Sequence, residues 1–83
     1  MFKRILTVCI GNICRSPTAE YLLRQQLVSR GIHIGSAGLG AMVDSPMDAT
    51  ALQLLAERGI DGEMHRARQL TPAMLREADL VLG

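Results

Sequence analysis

The chain is organised around residues 8–17, Val8-Cys9-Ile10-Gly11-Asn12-Ile13-Cys14-Arg15-Ser16-Pro17. An apolar run ends there in a cysteine, passes through a short loop containing a glycine, and reaches an arginine. Ser16 is predicted as the N-cap of a helix and Pro17 as its first residue. The backbone between Cys9 and Arg15 is short enough to curl into a ring with its N–H groups pointing inward. Together with the helix N-terminus, this ring predicts a site for a tetrahedral oxyanion.

Two side chains make the predicted anion site reactive. Cys9 is expected to lie beside a fixed cation and a helix N-terminus, surroundings that lower the pKa of a thiol well below its ordinary value. We therefore expect a thiolate at neutral pH. Arg15 can bind two oxygens of a phosphoryl group at once, which a lysine cannot do. The pattern predicts phosphoryl transfer to the sulfur of Cys9.

Residues 8–20 resemble the phosphate-binding loop of the low-molecular-weight protein tyrosine phosphatases, a far more specific match than a bare Cys-x5-Arg pattern. Two later segments resemble the same family at suitable distances, Ser36-Ala37-Gly38 and His65-Arg66-Ala67-Arg68-Gln69. The resemblance covers the whole chain. It implies a phosphotyrosine-protein phosphatase that works through a cysteinyl-phosphate intermediate, with Cys9 and Arg15 as catalytic residues.

The resemblance also implies roles around the nucleophile. The loop positions expected to bind phosphate are Ile10, Gly11, Asn12, Ile13, Cys14 and Ser16. In related enzymes the Ser16 hydroxyl donates to the sulfur, and Ser36 and His65 pin the side chain of Asn12. Cys14 either closes a protective disulfide with Cys9, as the family does, or is a small buried filler. Leu39 is predicted to form a wall of the substrate pocket.

Three other functions remain open from the sequence. An arsenate reductase of the same architecture needs further cysteines, and none follows Cys14. The second alternative is a phosphate-binding fragment with slow turnover. Family members continue to an Asp-Pro motif that acts as the general acid, and this sequence stops at Gly83 without one. A metal site from Cys9, Cys14, His33 and His65 is discounted, since the spacing fits no common zinc pattern. Neither a metal nor a cofactor is expected.

Length, charge and composition restrict the expected cellular location and the expected classes of partner. The 83 residues allow one domain, predicted as a single incomplete domain over 1–83. A net charge of +1 without a basic run argues against a nucleic-acid partner. The apolar run Ile5–Ile10 is too short to span a bilayer and no signal peptide is recognised, so we expect a cytoplasmic protein without membrane insertion. Residues 36–41 resemble bacterial members that act on exopolysaccharide tyrosine autokinases, which suggests such a tyrosine-phosphorylated protein as partner.

Hydrophobic periodicity predicts an α/β fold, a three-layer open parallel sheet of flavodoxin-like order with its first strand central. Strands are predicted over residues 3–8, 32–34 and 80–82, with the site at the carboxyl end of the first. The resemblance implies that the chain stops before the last strand and a terminal helix of the family. A loop is expected over 38–43, on the same edge as the anion site.

Three helices are predicted between these strands. The first runs from Pro17 to about Ser29 before Gly31, and its buried face is expected to hold Ala19, Leu22, Leu23 and Leu27. The second begins at either Ser45 or Asp48 and buries Ala51, Leu52, Leu55 and Ala56. The third is capped by Thr71 and contains Met74, Leu75 and Ala78.

Overall fold

The computed structural model describes residues 3–83, which form a parallel β-sheet with α-helices packed against it. The elements in chain order are β1 (Arg4–Cys9), α1 (Arg15–Leu27), β2 (His33–Gly38), α2 (Ala49–Glu57), α3 (Pro72–Glu77) and β3 (Leu80–Leu82). The sheet order is β2-β1-β3 and both pairings are parallel. The predicted open parallel sheet with a central first strand is confirmed. No helix within residues 3–83 is both long enough and apolar enough to cross a membrane.

Helices cover both faces of the sheet. Side chains alternate between the two faces along a strand, so Arg4 and Thr7 of β1 point in opposite directions. The Thr7 hydroxyl donates to the main-chain oxygen of Ser16 in α1, whereas Arg4 pairs with Glu77 of α3 at 3.8 Å. α1 also packs against α2. The result is the expected arrangement of three layers.

The start of α1 differs from the prediction. Ser16 is not the N-cap, because the helix begins at Arg15 and follows Cys14, which offers no side-chain cap. Ser16 and Pro17 lie buried in the first turn, where a proline is tolerated because its missing N–H would have no helical partner. The cap role fails because the Ser16 hydroxyl is engaged by the loop before the helix instead. The predicted apolar face is only half-buried, and the fully buried positions are Ser16, Pro17 and Glu20.

β2 is longer than the predicted segment 32–34, since it pairs with β1 along its full length. Gly35 and the small residues after it carry no apolar alternation, so only the pairing reveals the strand. Gly38 ends β2 against the loop that follows β1. A Cβ atom there would lie 2.5 Å from the main-chain oxygen of Ile10, so a side chain does not fit at this position.

Two arginines cover the outer edge of β2. Arg24 Nε donates to the main-chain oxygen of Ile34 at 3.3 Å, and Arg68 Nε donates to that of Ser36 at 2.8 Å. These carbonyls are two residues apart and therefore point to the same side of the strand. Charged groups that occupy edge carbonyls oppose pairing with a further strand.

The second and third helices begin at side-chain caps. The Asp48 carboxylate accepts from the N–H of Ala51 at 3.1 Å, which decides between the two predicted starts of α2. Ala51 and Leu55 are buried as predicted, but Ala56 is exposed because it lies about 100° around the helix from Leu55. Thr71 caps α3 as predicted. Ala78 follows that helix rather than belonging to it.

Asp79 joins the chain before β3 to the start of β1. Its Oδ2 atom accepts from the backbone N–H groups of Lys3 and Arg4 at 2.8 and 2.9 Å. These two hydrogen bonds hold the pKa of the Asp79 carboxyl below its ordinary value. A group with a depressed folded pKa stabilises the fold above its unfolded pKa, and that stabilisation is lost as the pH falls through the folded value.

We expect Asp79→Asn to lower the free energy of unfolding at pH 7 because a neutral amide accepts more weakly from the two N–H groups. Urea unfolding of both proteins between pH 7 and pH 3 should show the difference narrowing in acid. Glu63→Gln, which alters an exposed carboxylate elsewhere, is the control. A difference that stays constant down to pH 3 would contradict this role of the charge.

Candidate active site

The loop between β1 and α1 is held from outside by the segment that follows β2. The N–H groups of Leu39, Gly40 and Met42 donate to the main-chain oxygens of Cys9, Ile10 and Gly11 at 2.9, 2.9 and 3.0 Å. In a trans peptide the C=O of one residue and the N–H of the next point in opposite directions. The N–H groups of residues 10–12 therefore face the interior of the loop, where they can bind an anion.

Cys9 lies at the mouth of this loop with its sulfur 2.9 Å from the Ser16 hydroxyl oxygen. Burial by itself raises the pKa of the Cys9 thiol. Hydrogen bonds from the Ser16 hydroxyl and from the backbone N–H groups of Ser16, Asn12 and Cys14 outweigh that effect, and the pKa is lowered. The hydrogen bonds favour the thiolate because each donor meets a negative charge.

The side chain of Asn12 fixes the loop. Asn12 is fully buried and adopts a left-handed backbone conformation with φ of 58°, which asparagine tolerates. Its Oδ1 atom accepts from the backbone N–H of Arg68 at 2.9 Å, so the orientation of the amide is determined. Nδ2 then donates to the hydroxyl oxygens of Ser16 and Ser36 at 2.8 and 2.9 Å. Since the Ser16 oxygen accepts from Asn12, its own proton is free to point at the sulfur of Cys9.

His65 also contacts Asn12, through the backbone. The His65 Nε2 atom lies 2.7 Å from the main-chain oxygen of Asn12. A carbonyl oxygen only accepts, so Nε2 carries the proton. The structure brings Ser36 to the side chain of Asn12, as the resemblance implies, but His65 contacts the backbone of Asn12 and not its side chain. The contact from the Arg68 backbone was not anticipated from the sequence.

A buried carboxylate behind Ser36 was also missed. The Ser36 hydroxyl donates to Glu20 at 2.5 Å, and Glu20 is ion-paired with Arg24. Arg24 in turn lies over the ring of Tyr21, 5.0 Å from its centroid. The sequence held one signal for this arrangement, because Glu20 is four residues after Ser16 and therefore shares its helix face.

Other predicted site residues lie on the surface of the loop. Arg15 is exposed at the start of α1, and Cys14 before it is exposed as well, which removes the interpretation of Cys14 as a buried filler. Leu39 and Ile10 are also exposed. Within residues 3–83, no three His, Cys, Asp or Glu side chains are grouped so that they could hold a metal ion.

The fold and the site together define a class of proteins in which a thiolate at the end of a central parallel strand faces a loop of N–H groups and a helix N-terminus. Such a site can bind a tetrahedral oxyanion and attack it with sulfur. The chain belongs to the low molecular weight phosphotyrosine protein phosphatase family, whose profile matches residues 4–83. The resemblance drawn from the sequence is confirmed, and the arsenate reductase alternative is not favoured.

Several bacterial tyrosine phosphatases are similar to the chain in sequence. The chain is 52% identical over 82 residues to a probable low molecular weight protein-tyrosine-phosphatase EpsP of Ralstonia solanacearum, covering 99% of this chain and 55% of that protein. It is 49% identical to Wzb of Escherichia coli strain K12, covering 99% of this chain and 54% of that protein. The chain therefore spans about half the length of the curated relatives that it matches.

Solved structures agree with this assignment. The tyrosine phosphatase AmsI of Erwinia amylovora superposes with a TM-score of 0.91 at 49% identity, covering 98% of this chain and 52% of that one. Vibrio vulnificus Wzb in complex with benzylphosphonate gives a TM-score of 0.92 at 40% identity, covering 99% and 57%. The two TM-scores show that the similarity holds for the whole described fold as well as for the loop sequence.

Ser36→Ala should destabilise the protein by about 2 kcal/mol, because it removes the hydrogen-bond partner of an Asn12 N–H group and of the Glu20 Oε1 atom in a buried site. Thermal and urea unfolding would measure the loss. Ser29→Ala, which removes an exposed hydroxyl, is the matched control. A loss no larger than that of Ser29→Ala would show that the network around Asn12 contributes little to stability.

Proposed function

We propose that the protein hydrolyses phosphotyrosine in proteins through a cysteinyl-phosphate intermediate. The observation that carries the proposal is the Cys9 thiol, whose pKa is lowered by hydrogen bonds from Ser16 and from backbone N–H groups of an inward-facing loop. A thiolate in this setting is a nucleophile placed where a phosphoryl group would bind. The solved relative from Vibrio vulnificus, which holds benzylphosphonate, supports the same class of ligand.

Each residue of the loop takes a role in the proposed reaction. The Cys9 thiolate attacks phosphorus, the sulfur–phosphorus bond forms, and the bond to the tyrosine oxygen breaks. Arg15 and the loop positions Ile10, Gly11, Asn12, Ile13, Cys14 and Ser16 bind the phosphoryl oxygens, mainly through backbone N–H groups. Water then attacks phosphorus and releases phosphate, and the Ser16 hydroxyl stabilises the departing thiolate.

The leaving tyrosine requires a proton at this stage. A phenolate is a poor leaving group because the pKa of its conjugate acid is about 10, and a general acid typically contributes 10²–10⁴-fold. Asp48 lies close to the loop, since its N–H donates to the main-chain oxygen of Ile13 at 2.7 Å. Its carboxylate, however, is occupied in capping α2. In the family that the chain resembles an Asp-Pro motif supplies the acid, and residues 1–83 contain no such motif.

The proposed substrate class is supported mainly by the bacterial relatives. We propose a bacterial tyrosine autokinase of exopolysaccharide biosynthesis as the tyrosine-phosphorylated partner, in the cytoplasm. The support is the likeness of residues 36–41 to bacterial family members, together with the relatives EpsP and Wzb. Leu39 is 64% exposed, while its backbone N–H binds the oxygen of Cys9. This position, exposed and bonded to the Cys9 backbone, supports its proposed role as a wall for an aromatic substrate.

Cys9→Ser should abolish turnover of p-nitrophenyl phosphate and leave phosphate binding measurable, because the N–H groups and Arg15 remain. Arg15→Lys should lose most of both, since a point charge does not replace the bidentate guanidinium. Arg30→Lys, at an exposed position in the short helical turn after α1, is the control. Steady-state turnover and calorimetric titration with phosphate would measure the effects. Substantial turnover by Cys9→Ser would overturn the proposed nucleophile.

Reversible oxidation is expected if Cys9 and Cys14 pair, and both are free thiols in the structure. Mild peroxide should then inactivate the enzyme and remove both thiols, and dithiothreitol should restore them. Cys14→Ser should make the same treatment irreversible, because the sulfenic acid of Cys9 is oxidised further. Activity after reduction is the measurement. Equal recovery with and without Cys14 would exclude its protective role.

A further inference from the structure

Thr7 places a buried hydroxyl inside an otherwise aliphatic stretch of β1. It is 2% exposed, and its Oγ1 atom donates to the main-chain oxygen of Ser16 at 2.7 Å. A second acceptor, the main-chain oxygen of Gly35, is 3.3 Å away. A hydroxyl has one proton to donate, so the shorter contact to Ser16 is the bond it makes. A valine would fill nearly the same space without the cost of burying a hydroxyl.

Ser16 is therefore held by β1 at two points. Thr7 and Cys9 are two residues apart, so their side chains lie on the same face of the strand, against the first turn of α1. Thr7 contacts the backbone of Ser16, and the sulfur of Cys9 contacts its hydroxyl at 2.9 Å. The residue before the helix, Cys14, provides no side-chain cap. The start of α1 thus lacks the contact that usually fixes a helix N-terminus.

We infer that Thr7 is a positioning residue, which holds the first turn of α1 so that the Ser16 hydroxyl meets the sulfur of Cys9. Hydrogen bonds weaken steeply as their geometry departs from the optimum. A small outward movement of the first turn would carry the Ser16 hydroxyl away from Cys9. Asn12 bonds to the hydroxyl itself, whereas Thr7 bonds to the backbone of that turn. Thr7 itself contacts neither the sulfur nor the loop interior.

The inference rests on the proposed function only for its catalytic consequence. A weaker bond from Ser16 would make the thiolate of Cys9 less stable, both before attack on phosphorus and as the leaving group. The state of the thiol can be measured without any turnover. In a Cys14→Ser background Cys9 is the single remaining cysteine of the chain. The rate of its alkylation by iodoacetamide as a function of pH then reports the thiolate directly.

Thr7→Val should move the midpoint of this alkylation profile to higher pH by about half a pH unit, which is roughly a threefold loss of thiolate below the midpoint. Thr7→Ser keeps the donor and should restore the original midpoint. Thr50→Val, at an exposed position in α2, should leave the profile unchanged. Circular dichroism and thermal unfolding of each variant would establish that it is folded.

A double-mutant comparison separates positioning from a general packing effect. In a Ser16→Ala protein the hydroxyl is absent and only the backbone N–H of residue 16 still donates to the sulfur, so Thr7→Val should shift the midpoint by less than it does in the parent. An unchanged midpoint in folded Thr7→Val, or an equal shift with and without Ser16, would overturn the inference. If Thr7→Val does not fold, Thr7→Ala decides the question by the same two measurements. A shift in Thr7→Val with no phosphatase activity in the parent enzyme would remove the proposed function and leave the inference standing.

Discussion

The buried amide of Asn12 is the interaction on which the rest of the site depends. A ring of N–H groups pointing at one centre is unfavourable without an anion, so the loop must be held from outside when it is empty. Asn12 supplies that hold by joining α1 through Ser16, β2 through Ser36 and the later segment through Arg68. Because all its polar atoms are satisfied, the loop is organised before any substrate binds, which is the condition for electrostatic stabilisation of a transition state.

This requirement explains why α1 buries two polar residues, Ser16 and Glu20, beside the site. Burying the carboxylate of Glu20 would be costly unless it were paired and hydrogen-bonded. Arg24 provides the pairing and Ser36 the hydrogen bond. Within residues 3–83, no buried side-chain nitrogen or oxygen lacks a partner. Apolar side chains form a separate buried cluster around α2. Its members are Met47, Ala51 and Leu55.

The same geometry links the fold to the chemistry. A central parallel strand delivers Cys9 to the edge of the sheet where the N-terminus of α1 also begins, so the sulfur, the helix dipole and the inward N–H groups converge on one point. Burial opposes ionisation of the thiol, and the directed donors outweigh it. The reactivity of Cys9 is therefore a property of the loop and not of the residue alone.

The strand β1, the loop that carries Cys9 and Arg15, and the end of the helical stretch before Gly31, where φ is positive, could all be predicted from the sequence. These features are local, since they depend on periodicity, turn chemistry and residues close together in the chain. That Ser16 is not a cap, in contrast, depends on the folded chain. The loop brings hydrogen-bond partners to its hydroxyl, and helix propensity does not predict such contacts.

Tertiary pairing also decided the length of β2 and the burial of Glu20. Each depends on a neighbour distant in sequence, as the partners of Asn12 do, at separations of 24 residues for Ser36 and 56 for Arg68. Local patterns carry no information about such contacts. The proposed nucleophile could therefore be predicted from the sequence, whereas the network that holds it could be located only in the folded chain.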